Sequence, residues 1–411
     1  MPEILPYVYL GYMFVSLYFV FFYLITYASN RKRIYEFPKI TKKYSISIVI
    51  PAWNEEETLK GTVESVVKSK YPIKKVIIVD DCSTDSTLEI AKKLEKKYKN
   101  VKVLHNEKNL GKAGSLNRGI KYTDTELVAV IDCQSYLEKD SISKLIGFFD
   151  DPEVGVASAK ILVKRKKNIL EKLQSLEYAV IAWTRKLLGF ADCIYVTPGP
   201  LSVYRRKAVL KVGGFDTKNM TEDIEMTWKL VYHKYKVKMS LASHVETVTP
   251  RTIRKWYRQR QRWNMGGLQC LGKYKKVIFS SGHNMLGLFI IPYFALTLLL
   301  GVVGLGIFSY LVIRRFFLTT LYTKYAFLAN VPVVTLNDFY FTSSVLNYIG
   351  VVLFVLGLFF TIFALKTIKP KGINIYSPIL LLIYLLIYLT AYPIILLISL
   401  VRIARGDYRW W

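Results

Sequence analysis

Residues 45–56 read SISIVIPAWNEE, and this stretch decides the fold. Its first half, from Ile46 to Ile50, is a short and mostly apolar run that is typical of a strand buried inside a sheet. Pro51 ends the run, and residues 55–69 then carry apolar side chains at helical spacing. The chain therefore passes from a buried strand directly into a helix.

The same alternation continues along the chain. Further strands are predicted at 75–79, 101–104 and 127–131, with helices at 86–97 and 113–121. Strands that alternate with helices form a mostly parallel sheet with helices on both faces, so the predicted fold class is α/β. Ligands of such sheets bind beyond the carboxyl ends of the strands. The polar residues that follow each strand are therefore the candidate site residues.

Candidate site residues, most of them polar, cluster after three of these strands and at one helix start. They are Pro51, Ala52, Asn54 and Glu55 after the first strand, Asp80 and Asp81 after the second, Lys112 at the helix start, and Asp132 and Gln134 after the fourth. Singly, an aspartate after a strand is usually a turn or helix cap. Together at one sheet edge they predict a nucleotide site, because a lysine at a helix start suits phosphate and a carboxylate suits a divalent cation.

Four segments without a charged residue predict membrane helices. They cover residues 7–28, 285–313, 345–365 and 376–401, and each is about long enough to cross a bilayer as a helix. Buried helices of a soluble protein would keep a polar stripe, which these segments lack. The first segment has no basic start and no small-residue cleavage site, so it is not a signal peptide.

The net charge of +28 fits a membrane protein that handles phosphorylated substrates. Basic clusters at 31–33, 273–276 and 366–371 flank the apolar segments, and the positive-inside rule places them in the cytosol of a multi-pass protein of the cell membrane. The N-terminus is then outside, and counting four crossings puts the C-terminus outside as well. Attraction to the lipid bilayer explains the charge without a nucleic-acid partner.

These segments divide the chain into four parts. Residues 1–30 are predicted as an N-terminal transmembrane helix and 31–248 as a cytosolic domain. Residues 249–284 form an interfacial helix region, and 285–411 form a C-terminal membrane region with three transmembrane helices. Within the domain, residues 168–188 predict an amphipathic helix that lies either in the core or on the membrane surface.

Three motifs in the second half of the chain complete the candidate site. Gly199 and Pro200 form a turn before a short strand, and Glu222 and Asp223 follow Thr221, a suitable helix cap. A third motif, Gln259-x-x-Arg262-Trp263, lies on a helix predicted to begin near Pro250 with Thr249 as its cap. A basic and aromatic helix at a membrane surface has a similar composition, so the last motif has a structural explanation too.

In this order, the motifs resemble those of family 2 glycosyltransferases with the GT-A fold, in particular the membrane-bound processive synthases of poly-N-acetylglucosamine, hyaluronan, chitin and cellulose. The resemblance covers roughly residues 45–270 and extends to the flanking apolar segments. It implies that the residues around Pro51 and Asp80 hold the nucleoside, with Asp81 on uracil. It also implies that Lys112 meets the diphosphate and that Asp132 and position 134 hold Mg²⁺ or Mn²⁺.

For the chemistry, the resemblance implies that Asp223 is the base that takes the proton of the acceptor hydroxyl and that Glu222 positions it. Gly199 and Pro200 are expected near the acceptor sugar. The forked donors of Arg262 suit the leaving diphosphate, and Trp263 is expected to stack on the acceptor.

Position 134 departs from the family pattern, which has an aspartate there. Glutamine lacks the charge that holds a divalent cation, so metal affinity is in question. Three explanations remain open, namely natural tolerance, a pseudoenzyme, and a metal site weakened by a deliberate substitution. The intact remainder of the motifs favours a weakened metal site over a pseudoenzyme.

The sequence thus predicts an inverting transfer from a UDP-sugar, preferably UDP-N-acetylglucosamine, to a growing β-linked polysaccharide that then crosses the membrane. Alternatives are a non-processive transferase that loads a lipid phosphate carrier, so that the acceptor is lipid-linked, and an inactive scaffold. A transporter without chemistry would need charges or broken helices at membrane depth. Residues 314–344 are predicted as a long, aromatic loop. No function for this loop and no protein partner for secretion follow from the sequence.

Overall fold

The fold is described from a computed structural model, which covers residues 5–331, 345–375 and 377–407. The strand predicted at 45–52 is β1 (Ile46–Ala52), and both of its neighbours, β2 (Lys75–Asp80) and β4 (Leu127–Val130), pair with it in parallel. β3 (Val101–His105) pairs in parallel with β2. Ala52 lies opposite Asp80, and Asp80 lies opposite His105, so the carboxyl ends of three strands meet at one edge.

The remaining strands extend the sheet beyond β4. They are β5 (Ser135–Leu137), β6 (Val154–Val163), β7 (Ser202–Arg205) and β8 (Lys236–Thr247). The eight strands lie in the order β3-β2-β1-β4-β7-β6-β8-β5. β6 and β8 are parallel, whereas β7 is antiparallel to both of its neighbours and β5 is antiparallel to β8. The prediction of an α/β fold with a mostly parallel sheet is confirmed.

The helices cover both faces of this sheet and continue into the apolar ends of the chain. They are α1 (Leu5–Asn30), α2 (Leu59–Val67), α3 (Thr87–Lys97), α4 (Gly111–Tyr122), α5 (Ser143–Ile146), α6 (Ile169–Phe190), α7 (Arg206–Lys211), α8 (Glu222–Tyr232), α9 (Ile253–Tyr274), α10 (Ile291–Leu328), α11 (Val345–Ile368), α12 (Pro378–Leu382) and α13 (Ala391–Ala404). Two π-helical segments, Leu286–Ile290 and Ile383–Tyr388, precede α10 and follow α12.

Alternate residues of the central strands feed two hydrophobic cores, one on each face of the sheet. Val49, Ile77 and Val79 belong to one core, whereas Ile48 and Ile78 belong to the other. This follows from the two-residue repeat of a strand and explains why β1 is apolar almost throughout. The first core also includes side chains of the apolar helices, so the sheet and the membrane region share one packed interior.

Helix α6 joins the domain to the apolar helices. Asn168 and Glu171 form a capping box at its start. Trp183 is buried, and its ring centroid lies 5.2 Å from that of Tyr27 in α1 and 4.9 Å from that of Phe360 in α11. α6 also packs against β6 and β8. The same helix therefore contacts both the core of the domain and the apolar helices, whereas the sequence left open whether it lies in the core or on the membrane surface.

Two predicted helix caps differ in the structure. Helix α9 begins at Ile253, and Thr252 caps it by accepting a hydrogen bond from the Lys255 N–H. The prediction of Thr249 as the cap is wrong, because the preceding loop is held differently: the Pro250 carbonyl accepts a hydrogen bond from the Gln174 amide. Thr221 does occupy the N-cap position of α8, but its side chain makes no capping bond to the helix.

Four described helical segments are long and apolar enough to cross a membrane, namely 6–30, 286–328, 348–368 and 378–404. The second is longer than predicted, because α10 continues to Leu328. Residues 314–328 are therefore helical and do not belong to a loop. Residues 332–344 of the predicted loop, residues 1–4 of the predicted first helix and Tyr376 lie outside the described residues.

The fourth segment keeps contact with the α/β domain at its far end. Arg402, near the end of α13, donates a hydrogen bond of 2.7 Å to the Gln261 side chain in α9. Near the start of the segment, Gly372 lies beside Lys166, which follows β6. The last turn of α13 thus lies beside the domain.

Candidate active site

A cavity of about 980 Å³ opens at the carboxyl edge of the sheet, between the strand ends and α9. Many of the predicted site residues line it together: Pro51, Ala52, Glu55, Asp81, Lys112, Asp132, Gln134, Glu222, Gln259 and Arg262. They come from six separate stretches of the chain. The strand ends, the start of α4, the start of α8 and the middle of α9 therefore form a single site large enough for a nucleotide sugar.

The other predicted residues lie beside the cavity or support its walls. The Asn54 side chain accepts a hydrogen bond of 2.8 Å from the Thr84 N–H and so ties the ends of β1 and β2 together. Asp80 is fully buried, and its Oδ2 lies 2.7 Å from Nδ1 of His105. These two residues support this edge of the cavity without lining it.

Asp81 is fixed at the edge of the cavity by backbone and side-chain donors. Its own N–H donates to the Ala52 carbonyl, and its Oδ1 accepts from the Leu110 N–H at 2.8 Å and from the Asn106 amide at 2.7 Å. Among the residues that the structure describes, none donates a hydrogen bond to the second carboxylate oxygen. Asp81 therefore presents an oriented acceptor, as recognition of a base N–H requires.

Lys112 lies at the centre of the cavity in an ion cluster. Its Nζ lies 2.6 Å from Asp132 Oδ1 and 2.7 Å from Glu222 Oε1. Burial opposes the charge of Lys112, but the carboxylates of Asp132 and Glu222 raise its pKa above the usual value. The ammonium group is thus charged at neutral pH and is available to a diphosphate.

The turn before β7 belongs to the site because its Gly199 lies directly against Lys112 and Asp132. A Cβ atom at this position would lie 2.6 Å from Nζ of Lys112 and 2.8 Å from Oδ1 of Asp132. Only a glycine lets the backbone approach this ion pair so closely. Pro200 follows it, and the turn is held by a hydrogen bond from Ser202 to the Pro198 carbonyl.

The first turn of α8 holds two acidic residues with opposite behaviour. Burial, followed by the charge of Glu222, raises the pKa of Asp223 to about 6. Burial acts in the same direction on Glu222, but Lys112 and Arg262 outweigh it and keep the pKa of Glu222 below its usual value. Adjacent carboxyl groups whose pKa values are pushed apart are typical of acid–base sites, with Asp223 in the range of a general base.

The side of the cavity next to the membrane helices is cationic. Arg258 and Arg262 of α9 line it, and so does Arg402 from the end of α13. Arg402 was not among the predicted site residues, because a lone arginine at the end of an apolar segment is equally typical of a membrane boundary. Because Arg402 is far in sequence from every predicted motif, no local pattern indicated that it lines the cavity.

Trp263 and Gln259 lie next to a buried cation of the same helix. The guanidinium carbon of Arg260 lies 4.1 Å from the ring centroid of Trp263, and Arg260 also donates to the Gln259 side chain. Gln259 faces the cavity, whereas Trp263 does not line it. Of the α9 motif, Gln259 thus lines the cavity, whereas Trp263 contacts the buried Arg260.

These features suit a transfer of a group away from a diphosphate. Lys112, Arg258 and Arg262 provide cations for an anionic leaving group, and Asp223 provides a base. Asp132 and Gln134, which line the same cavity, carry oxygen donors that suit a divalent ion. The described residues contain no group of three or more His, Cys, Asp or Glu side chains that holds a metal without a substrate.

The sequence is similar to those of known glycosyltransferases. The sequence profile of glycosyl transferase family 2 matches residues 47–213. A poly-β-1,6-N-acetyl-D-glucosamine synthase of Staphylococcus epidermidis is 30% identical over 317 residues, which are 76% of this chain and 74% of that protein. A synthase of the same description from Staphylococcus aureus is 31% identical over 260 residues, 62% of each chain.

A solved structure also resembles the whole chain in fold. It is a mannosyltransferase from Pyrobaculum calidifontis in complex with GDP-mannose and Mn²⁺, with a TM-score of 0.60 and 16% sequence identity. The likeness covers 98% of this chain and 99% of that one. At this identity the likeness shows a common fold, in which a sheet domain is joined to apolar helices.

Proposed function

This chain belongs to glycosyltransferase family 2, and we propose that it transfers N-acetylglucosamine from UDP-N-acetylglucosamine to the end of a growing β-linked polysaccharide. The similarity to poly-β-1,6-N-acetyl-D-glucosamine synthases over three quarters of the chain supports this donor and this product class. The observation on which the proposal depends most is that Lys112, Asp132, Glu222 and Arg262 line one cavity, with Asp223 next to Glu222 and under the electrostatic influence of this cluster. Together these residues supply a base and diphosphate-binding cations in the same place.

In the proposed reaction, the acceptor hydroxyl attacks C1 of the donor sugar from the side opposite the diphosphate. Its proton passes to the Asp223 carboxylate as the new C1–O bond forms. The bond from C1 to the diphosphate oxygen breaks, and UDP leaves with the electron pair. Attack from the opposite side inverts the configuration at C1, so a β-linked product forms from an α-linked donor.

The cations of the cavity stabilise the charge that develops on UDP. Lys112 lies at the start of α4 and Arg262 in the middle of α9, so both cations are held in place before the reaction begins. Asp81 is expected to accept a hydrogen bond from uracil at the other end of the cavity. Trp263 is expected to stack on the acceptor sugar once the chain occupies the site.

A divalent cation, Mg²⁺ or Mn²⁺, fits the site as a companion of the diphosphate. Mg²⁺ is commonly held by one or two carboxylates together with substrate phosphates. Asp132 would supply the carboxylate and the amide oxygen of Gln134 a neutral ligand, and the bound ion would neutralise part of the diphosphate charge. Because these donors are few, we expect the ion to bind together with the nucleotide rather than before it.

The apolar helices support a place in the cell membrane, with the α/β domain on the cytosolic side where UDP-sugars are available. We propose that the N-terminus is outside and that the polysaccharide crosses the bilayer as it grows. A lipid phosphate carrier as the acceptor is the competing proposal. The two differ in the size of the product.

The decisive experiment is a donor screen with the purified full-length chain in lipid nanodiscs. UDP or GDP release is measured with UDP-N-acetylglucosamine, UDP-glucose, UDP-glucuronic acid and GDP-mannose, and the product is sized. We expect release from UDP-N-acetylglucosamine to be fastest by about tenfold or more, the factor that one good polar contact supplies. Asp223→Asn is the inactive control.

A long neutral polymer as the product would support processive synthesis. A single sugar on an extractable lipid would contradict it and favour the lipid-carrier alternative. If no nucleotide sugar is consumed by the wild-type chain with either cation present, the proposed function is wrong.

A further inference from the structure

A buried ion pair lies behind the α9 motif and is not used by the proposed chemistry. Arg260 of α9 is 1% exposed and Glu177 of α6 is 4% exposed. The Arg260 Nη2 lies 2.5 Å from Glu177 Oε2, and its Nε lies 3.1 Å from Glu177 Oε1. The guanidinium therefore meets both oxygens of the carboxylate in a forked arrangement of fixed direction.

Two tyrosines from the last apolar segment complete this pair. The Tyr388 hydroxyl donates to Glu177 Oε2 at 2.6 Å, and the Tyr392 hydroxyl donates to Glu177 Oε1. The Tyr388 hydroxyl also accepts from the Trp256 indole N–H at 2.7 Å. Glu177 thus joins three separate elements, because α6 carries the carboxylate and both α9 and the segment from 383 to 404 bind it.

On its other side, Arg260 contacts two residues of the motif. Its Nη1 donates to the Gln259 side chain, which lines the cavity. Its guanidinium carbon lies 4.1 Å from the ring centroid of Trp263, the distance of a cation–π contact. The direction in which Gln259 and Trp263 point is therefore set by the same guanidinium that Glu177 fixes.

Stability alone does not explain such a pair. The loss of hydration of two buried charges offsets much of their attraction, and a well-packed apolar pair of similar volume is often as stable or more stable. What an ion pair adds over an apolar contact is a fixed direction for the groups around it. Here those groups are a cavity residue and an aromatic ring expected at the acceptor.

We propose that Glu177 and Arg260 are positioning residues that orient Gln259 and Trp263 for the acceptor, and that Tyr388 and Tyr392 tie this orientation to the last apolar segment. The inference rests on the proposed function. It adds that the membrane region takes part in setting the geometry of the transfer, since movement of that segment would move the carboxylate to which Arg260 is bound.

The test compares a charge-free variant with the wild type. Glu177→Gln combined with Arg260→Met removes both charges and keeps the volume nearly constant, so we expect the melting temperature to stay close to that of the wild type. We expect the Kd of UDP to change less than about twofold and kcat with UDP-N-acetylglucosamine to fall about tenfold or more, the pattern of a lost transition-state interaction.

A second arm leaves the ion pair in place. Tyr388→Phe combined with Tyr392→Phe removes only the hydroxyl groups, and we expect kcat to fall by about threefold to tenfold with the Kd of UDP unchanged. Tyr384→Phe is the matched control, because Tyr384 stacks on Tyr388 in the same segment and its hydroxyl makes no hydrogen bond among the described residues. We expect it to match the wild type.

The outcomes separate this inference from the proposed function. If the wild type is active and the charge-free variant retains kcat within twofold, the pair is only structural and the inference is overturned. If that variant does not fold, the tyrosine arm decides, because normal turnover there contradicts the tie to the membrane segment. A wild type without turnover contradicts the proposed function instead.

Discussion

At the scale of single residues, Asp223 controls the expected response to pH. Burial and the adjacent Glu222 charge raise the pKa of Asp223 to about 6, so the carboxylate is mostly ionised at pH 7 and is lost as pH falls through 6. A base must be ionised to accept a proton. We therefore expect kcat/KM to decrease tenfold per pH unit below about pH 6, measured by UDP release.

The matched variants make this assignment specific. Asp223→Asn is expected to lower kcat by about 10² to 10⁴, the usual contribution of a general base, while UDP still binds. Asp216→Asn removes a nearby acidic group that pairs with Lys273 outside the cavity and is expected to leave the pH profile unchanged. An inflection near pH 6 that persists in the residual activity of Asp223→Asn would assign it to another group.

Position 134 allows a direct test of metal binding. Gln134 lines the cavity with Asp132, so Gln134→Asp would create a pair of carboxylates for the cation. We expect the Mn²⁺ concentration at half-maximal UDP binding to fall by about tenfold, because a charged oxygen replaces a neutral one. Calorimetry with UDP at fixed concentration measures it.

The neutral change Gln134→Asn is the control for the loss of the longer side chain. An unchanged Mn²⁺ midpoint in Gln134→Asp would mean that position 134 does not reach the cation, whatever the family pattern has there.

At the scale of elements, the packing of α9 on α8 keeps the motif against the cavity. Gly266 of α9 faces Thr221, and a methyl group at this position would overlap the Thr221 side chain, lying 2.7 Å from its Cβ. We expect Gly266→Ala to destabilise the chain by about 1–3 kcal/mol through overpacking and to lower turnover. Thermal unfolding of the purified chain measures the first effect.

Gly272 of the same helix is the matched control. A Cβ atom there has no neighbour within 4 Å, so Gly272→Ala gains only helix propensity and is expected to stabilise the chain by about 0.5–1 kcal/mol. Equal melting temperatures for the two variants would show that α9 is free to shift away from α8.

The sequence was informative about elements whose signals are local. The apolar run at Ile46–Ile50 and the polar residues after each strand predicted the parallel half of the sheet and its functional edge, because both follow from short-range periodicity. The cap of α9 was mispredicted, since Thr249 and Thr252 are equally good caps and only the contact from Gln174 to Pro250 distinguishes them.

At the scale of the whole molecule, long-range contacts decided what the sequence did not reveal. Arg402 and Glu177 gave no signal, because one ends an apolar segment and the other lies on an amphipathic helix, and their partners are far away in sequence. The four apolar segments were recognisable by composition. Where the last of them ends relative to the domain is set by its packing on α9, which includes the contact of Arg402 with Gln261.

This contact makes a prediction about topology. Because Arg402 binds Gln261 beside the cavity, we expect the residues just after α13 to lie on the same side of the membrane as the domain. In oriented vesicles, a cysteine introduced by Arg405→Cys is expected to react with a membrane-impermeant maleimide from the same side as Cys82. Thr319→Cys, on the distal part of α10, is the control expected to react from the opposite side.

If the Arg405→Cys and Thr319→Cys variants both react from the side opposite Cys82, this placement is contradicted. That result would restore the count of four crossings as the better description of the chain.

The salt bridges of Lys112 have a consequence for the cycle as a whole. Before a donor arrives, the lysine is paired with both Asp132 and Glu222, so its charge is shared between two carboxylates. Entry of the nucleotide is then an exchange in which phosphate oxygens take over part of the lysine from two carboxylates. If the proposed function is correct, we expect the same carboxylates to compete for it again after each transfer and so to favour release of UDP.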